Sequence, residues 1–215
     1  MRFTLIYDGE LPAGDKKRAR YASKIRNILH PQMRDLWDNH VLMRQLRHTA
    51  RFYKRPTAMN IHRLPTEPPD YTEEPKPVDD SMVDCTAPIT IPNSGRFLPI
   101  VRKSLYVACA IDLLFLRHEE PQRLFEGSGD LDNRLKCFFD ALTIPNKEQS
   151  EAGEPPCADP LCCLLEDDRY ISDFSVRTGR LLGKDDKHKH DVRIQAEITI
   201  KVLRVFEGNL GLVGG

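Results

Sequence analysis

From Val192 to Val202 apolar and polar residues alternate without a break: Val192, Ile194, Ala196, Ile198, Ile200 and Val202 against Arg193, Gln195, Glu197, Thr199 and Lys201. Successive side chains of a strand point to opposite faces, so this is a strand that covers a core with one face and meets water with the other. Such a strand needs sheet neighbours, and the chain offers several. Arg2–Tyr7 is the first, closed by a turn at Asp8-Gly9. Phe97–Leu116 is rich in β-branched and aromatic residues, notably over Ser104–Arg117, and Tyr170–Thr178 alternates imperfectly.

Helical spacing fills the gaps. Ala13 to about Leu29 carries Ala19, Ala22, Ile25 and Leu29, and Pro31 is expected to interrupt it. A second helix is expected from Gln32 to about Tyr53, through Met33, Leu36, Trp37, Val41, Leu42 and Leu46. A third spans Asp130–Leu142, with Leu131, Leu135, Phe138, Phe139 and Leu142 on one face and Asp132, Lys136 and Asp140 on another. Pro145 ends it. The segment from about 56 to 96, dense in proline and acid, reads as an extended insertion, and 146–163 as a loop. The expected class is therefore α/β of the α+β type, a small mixed sheet flanked by helices. One domain over 1–215 is expected to carry both insertions.

Neither a membrane span nor a secretory leader is expected. The longest apolar run, Leu105–Leu116, contains Asp112, and Met1–Tyr7 has no basic region followed by a long apolar stretch. A cytoplasmic location is the resulting expectation, and the six cysteines are then expected to be reduced thiols. A three-thiolate zinc site over Cys157, Cys162 and Cys163 has neither Cys-x-x-Cys spacing nor an obvious fourth ligand. The histidines are scattered and expected to be exposed.

The net charge of zero conceals segregation. Residues 16–55 hold 12 Lys or Arg against two acids, while residues 118–173 hold 14 acids against five bases. A basic arm (Lys16, Lys17, Arg18, Arg20, Lys24, Arg26) suits phosphate binding by counterion displacement. It equally suits a solvated helix face. In the acidic part, Asp130-Leu-Asp132-Asn133 opens the third helix and Glu166-Asp167-Asp168 follows it. Two carboxylates one residue apart, joined by a third from another segment, make a site for a hard divalent cation. Singly, each has a plainer role: Asp130 as a helix cap, Asp132 and Lys136 as a surface ion pair, Asp167-Asp168 as turn residues.

The run from Gly129 through Asp130, Asp132, Asn133, Lys136 and Asp140-Ala-Leu142, followed by Leu165-Glu-Asp167-Asp168-Arg-Tyr-Ile171, resembles the RusA family of Holliday junction resolvases. The resemblance is dense over 129–176. It implies a homodimer that uses Mg²⁺ (with Mn²⁺ as a substitute) to cut branched, four-way DNA on two opposed strands. On that reading Asp130, Asp132 and Asp168 are catalytic metal ligands, with Asp167 as a further ligand or a support to them. Lys136 stabilises the transition state or leaving oxygen, and Asn133 and Asp140 orient the ligands. Lys16, Lys17, Arg18, Arg20 and Lys24 would hold DNA. A non-catalytic DNA-binding or assembly protein on the same scaffold is the rival expectation. A nuclease for another branched or flapped nucleic acid is a third.

Overall fold

The computed structural model describes residues 1–12, 17–53, 82–118, 131–182 and 191–213. In chain order these form β1 (Arg2–Glu10), α1 (Arg18–Asn39), α2 (Val41–Thr49), β2 (Arg51–Tyr53), β3 (Met82–Asp84), β4 (Ile89–Ile91) and β5 (Gly95–Val101). Next come β6 (Val107–Arg117), α3 (Leu131–Leu142), α4 (Lys147–Ala152), β7 (Leu161–Leu165), β8 (Ile171–Arg180) and β9 (Asp191–Val202). The class is mixed α/β. Of the described strands, four form a mixed sheet in the order β1-β9-β6-β8, with β8 parallel to β6 and the other pairs antiparallel. Three more form a second mixed sheet, β4-β5-β7, and β2 pairs with β3.

The alternation in β9 works as expected. Val192, Ile194, Ala196, Ile198 and Ile200 are buried, opposite Leu5, Tyr7, Ile111, Leu113 and Phe115 of its neighbours. Helices α1, α2 and α3 close this inner face through Ile25, Leu29, Trp37, Met43, Leu46 and Phe138, forming one apolar core. Gly211, in the C-terminal 3₁₀ turn, lies so close to α2 that a Cβ there would strike the Leu46 backbone.

Several expected boundaries are corrected. Pro31 does not end a helix but sits inside α1, which runs on to Asn39. A proline has no N–H, so the Asn27 carbonyl loses its helical donor. The Cys157 thiol lies 3.8 Å from that carbonyl and offers a weak donor instead. The Asn27 side chain ties the same loop, donating to the Pro155 carbonyl and accepting from Cys157 N–H. The break comes at His40, whose extended backbone separates the helices and whose Nδ1 accepts from Leu42 N–H at 3.2 Å. The second helix accordingly ends at Thr49, and Arg51–Tyr53 is a strand.

Within the supposed proline-rich insertion, β3, β4 and the start of β5 are regular strands and Cys85 is buried, while 54–81 lie outside the described residues. The 146–163 segment is not all loop. Asn146 and Gln149 form a capping box that starts α4, and Leu161–Leu165 is a fully buried strand. Cys162 and Cys163 are consecutive in that strand and enter different apolar clusters. Burial pushes their thiols up to about 11 and about 12. The histidines are not uniformly exposed either: His30 is buried. No described helix is long and apolar enough to cross a membrane.

Candidate active site

Helix α3 delivers its acids in sequence. Its inner face buries Cys137, Phe138, Ala141 and Leu142, which turns Asp132, Lys136 and Asp140 away from the core centre. Asp132 stands in the first turn, exposed, with Lys136 Nζ at 2.5 Å from its carboxylate across one turn. This is the geometry of an ordinary i, i+4 ion pair. Asn133 is half-buried beside them. Asp130 lies outside the described residues.

Asp140 is placed differently. Two turns and about 12 Å of helix separate it from Asp132, and it lies where α3 meets β7. There Ile144 N–H donates to the Leu165 carbonyl at 3.0 Å, and Thr143 bridges to Leu165. The chain leaving β7 then runs through Glu166, Asp167 and Asp168, so the end of α3 and this turn face one another. Between them is an open cleft of about 310 Å³ that Asp140, Asn146, Gln149, Glu166, Asp167 and Asp168 help to line. Asp167 begins a 3₁₀ turn over Asp168–Tyr170, accepting from Arg169 N–H at 3.0 Å and pairing with the Arg169 guanidinium at 2.8 Å. That pairing holds its carboxyl below the usual range. Glu166 is turned toward the backbone and accepts from Lys103 N–H at 2.8 Å.

The Asp140 carboxyl is pushed the other way, up from its ordinary value. Burial is the main cause and the neighbouring Asp168 adds to it, against the opposing pull of Arg18, Gln149 and Arg26. Arg18 Nε lies 3.0 Å from Asp140 Oδ2. Arg26 reaches the same spot from α1. It is 5% exposed and donates to the Asp140 and Thr143 carbonyls at 2.6 and 2.8 Å, satisfying the last turn of α3. Arg26 is therefore a buried cap, which corrects its reading as a phosphate-gripping or solvated base.

The rest of the basic arm is mixed. Arg20 and Lys24 reach Glu154 at 3.4 and 3.7 Å, and Lys17 is exposed at the head of α1. Lys16 lies outside the described residues. Sequence reasoning gathered Asp132 with Asp168; the cleft instead brings Asp140 beside Asp167 and Asp168. It missed Gln149, whose signal was the Asn146-x-x-Gln149 capping box.

The donor set suits a hard divalent cation in kind, being carboxylate and carbonyl oxygen. Among the described residues no three His, Cys, Asp or Glu side chains are gathered closely enough to hold a metal ion. The chain matches no family model, no curated protein and no solved structure.

Proposed function

We propose that the chain is a RusA-like, Mg²⁺-dependent, structure-selective endonuclease that resolves four-way DNA junctions by phosphodiester hydrolysis in recombination and repair. The observation that carries this reading is the cleft in which the raised Asp140 carboxyl faces Asp167 and Asp168. A carboxyl partly withdrawn from water beside two further acids is a setting that a bound cation would neutralise. The motif Asp130-Leu-Asp132-Asn133, Lys136 and Asp140-Ala-Leu, followed by Glu166-Asp167-Asp168, supports the same reading.

When bound, a divalent ion supplies a hydroxide at neutral pH and polarises the phosphate. Asp168 and Asp167 would hold it, and Asp130 and Asp132 would complete the set where the Asp168 turn moves toward the start of α3. Asp140 would orient the Asp168 turn, and Gln149 and Arg18 fix Asp140. Lys136, one turn from Asp132, would offset charge on the departing oxygen. Lys17, Arg18, Arg20 and Lys24 would grip the flanking phosphates, with Glu154 exchanged for DNA. Two such chains would offer a site to each opposed strand.

Incubation with a synthetic four-way junction and Mg²⁺, read on a denaturing gel, tests this. Wild-type chain should give paired nicks on opposed strands. Asp130→Asn and Asp168→Asn should lower cleavage by about 100-fold or more while leaving junction binding in place. Cutting that persists in excess chelator would reject the reading. The absence of a three-acid group among the described residues favours a second reading, a non-catalytic DNA-binding or assembly protein. Junction binding without cleavage would select it.

A further inference from the structure

The two edges of the four-stranded sheet are unlike. The edge at β1 is blocked at its middle: the Gln32 side chain of α1 accepts from Ile6 N–H at 2.9 Å and donates to the Ile6 carbonyl at 2.7 Å, as a neighbouring strand would at that residue. The edge at β8 has β6 on one side, and no strand pairs with its other side among the described residues. Ser172, Asp173, Phe174, Ser175, Arg177, Thr178 and Arg180 are exposed along it, Phe174 at 57%. A long strand with bare N–H and C=O groups is a template for another strand unless something prevents pairing.

Charges on an edge ordinarily prevent it, but those on β8 match their own reverse. An antiparallel copy related by a two-fold axis at Ser175 sets Asp173 opposite Arg177, Phe174 opposite Val176, Ser172 opposite Thr178 and Ser175 opposite itself. Both Asp173–Arg177 pairs would fall on the outer face of the sheet, level with Asp112, and both Phe174–Val176 pairs on the core face, where Phe174 already meets Phe139 edge-on at 5.7 Å. Moving the axis to Phe174 or to Val176 loses both charge pairs. Backbone direction agrees. Leu181 N–H donates to the Arg117 carbonyl, so the odd residues from 173 onward turn to β6 and the even ones turn outward. Phe174 and Val176 would then exchange the ladder hydrogen bonds, leaving Ser175 at a close, non-bonded crossing. Neither Asp173 nor Arg177 has an ion-pair partner among the described residues.

We infer that β8 is the interface for a second copy of this chain, joined antiparallel about Ser175 into one continuous eight-stranded sheet. This deepens the proposed reading and rests on it for the expectation of a two-fold dimer. Because β8 begins at Ile171, just past the 3₁₀ turn that carries Asp168, the interface would fix the spacing of the two acidic clefts.

Sedimentation of the full chain over a concentration series tests it. Wild type should form a dimer. Asp173→Arg and Arg177→Asp each turn two attractions into two repulsions and should weaken it by about tenfold or more. The double variant Asp173→Arg/Arg177→Asp should restore it. Ser175→Cys in a Cys157→Ser background should crosslink on oxidation, and Val176→Cys should not. Matching thermal melts establish that each variant is folded. A wild type that stays monomeric, single variants that dimerise unchanged, or a dimer that fails to crosslink at position 175 would overturn the inference. A monomer that cuts junctions sinks this inference alone; a β8 dimer that cuts nothing sinks the nuclease reading alone.

Discussion

Strand β7 has two contrasting ends. At its start, Cys162 N–H donates to His30 Nδ1 at 2.9 Å, and Asp38 is clasped by Arg34 and Arg47 at 2.6 Å each. At its finish, Asp140, Asp167 and Asp168 share a cleft, and Asp140 is held away from its preferred ionisation. Five residues of buried strand separate a settled arrangement from one that a cation would relieve. The lesson is that charge density alone marks neither end; what distinguishes them is that Asp38 lies between two guanidinium groups, whereas Asp140 is partly buried with Asp168 beside it.

The sharpest way to break that contrast is Arg26→Ala at the acidic end. It strips two carbonyls of their buried donor and removes positive charge from beside Asp140. Denaturant unfolding should show a loss of about 3 kcal/mol, and Arg26→Lys should recover little of it because a single ammonium cannot span both carbonyls. Next comes the cation itself. Mg²⁺ at 100 times its dissociation constant should stabilise wild type by about 2.7 kcal/mol and leave Asp168→Asn unmoved in the same thermal scan. Equal shifts in both would remove the cleft as the binding place.

At the settled end the effects are smaller. Burial holds the His30 imidazole below its ordinary value of 6.5. Its contribution to stability is therefore complete above that pH and is lost as pH falls below it, because the unfolded chain takes up a proton first. Melting temperature followed from pH 7.5 to about 5 should show this decline in wild type and a flatter profile in His30→Gln, which keeps an acceptor for Cys162 N–H. Smallest of all, Asp38→Asn should move the melting temperature by less than about 3 °C and leave cleavage unchanged, since exposed pairs contribute little.

Much of this was legible in the sequence where a period or a motif repeats one physical constraint. The β9 alternation, the β1 run and the apolar face of α3 each state which side meets the core, and the structure follows them, except that β1 runs through the expected Asp8-Gly9 turn to Glu10. Pro31 misled because local chemistry forbids only its own N–H. Whether the helix stops depends on whether the Asn27 carbonyl finds a donor elsewhere, and Cys157 lies 130 residues away. His30 was likewise hidden, since its partner is a backbone N–H of a strand whose five consecutive apolar residues, in a segment read as loop, carry no alternation. The acids were visible as a set, yet their grouping was not. Helical rise puts Asp132 and Asp140 two turns apart, and only the β7 pairing of residues 143 and 144 decides which of them meets Asp168.

Gln32 carries one last consequence. A ribbon bare along both margins can recruit copies without limit and grow into a fibre, whereas here an amide from α1 occupies the backbone groups of Ile6 in the middle of one margin. If copies join through β8 as inferred, recruitment along this sheet would halt after one partner and the product would be a closed pair. Trimming that amide to a methyl, as in Gln32→Ala, would reopen the second margin and turn a self-limiting association into a propagating one.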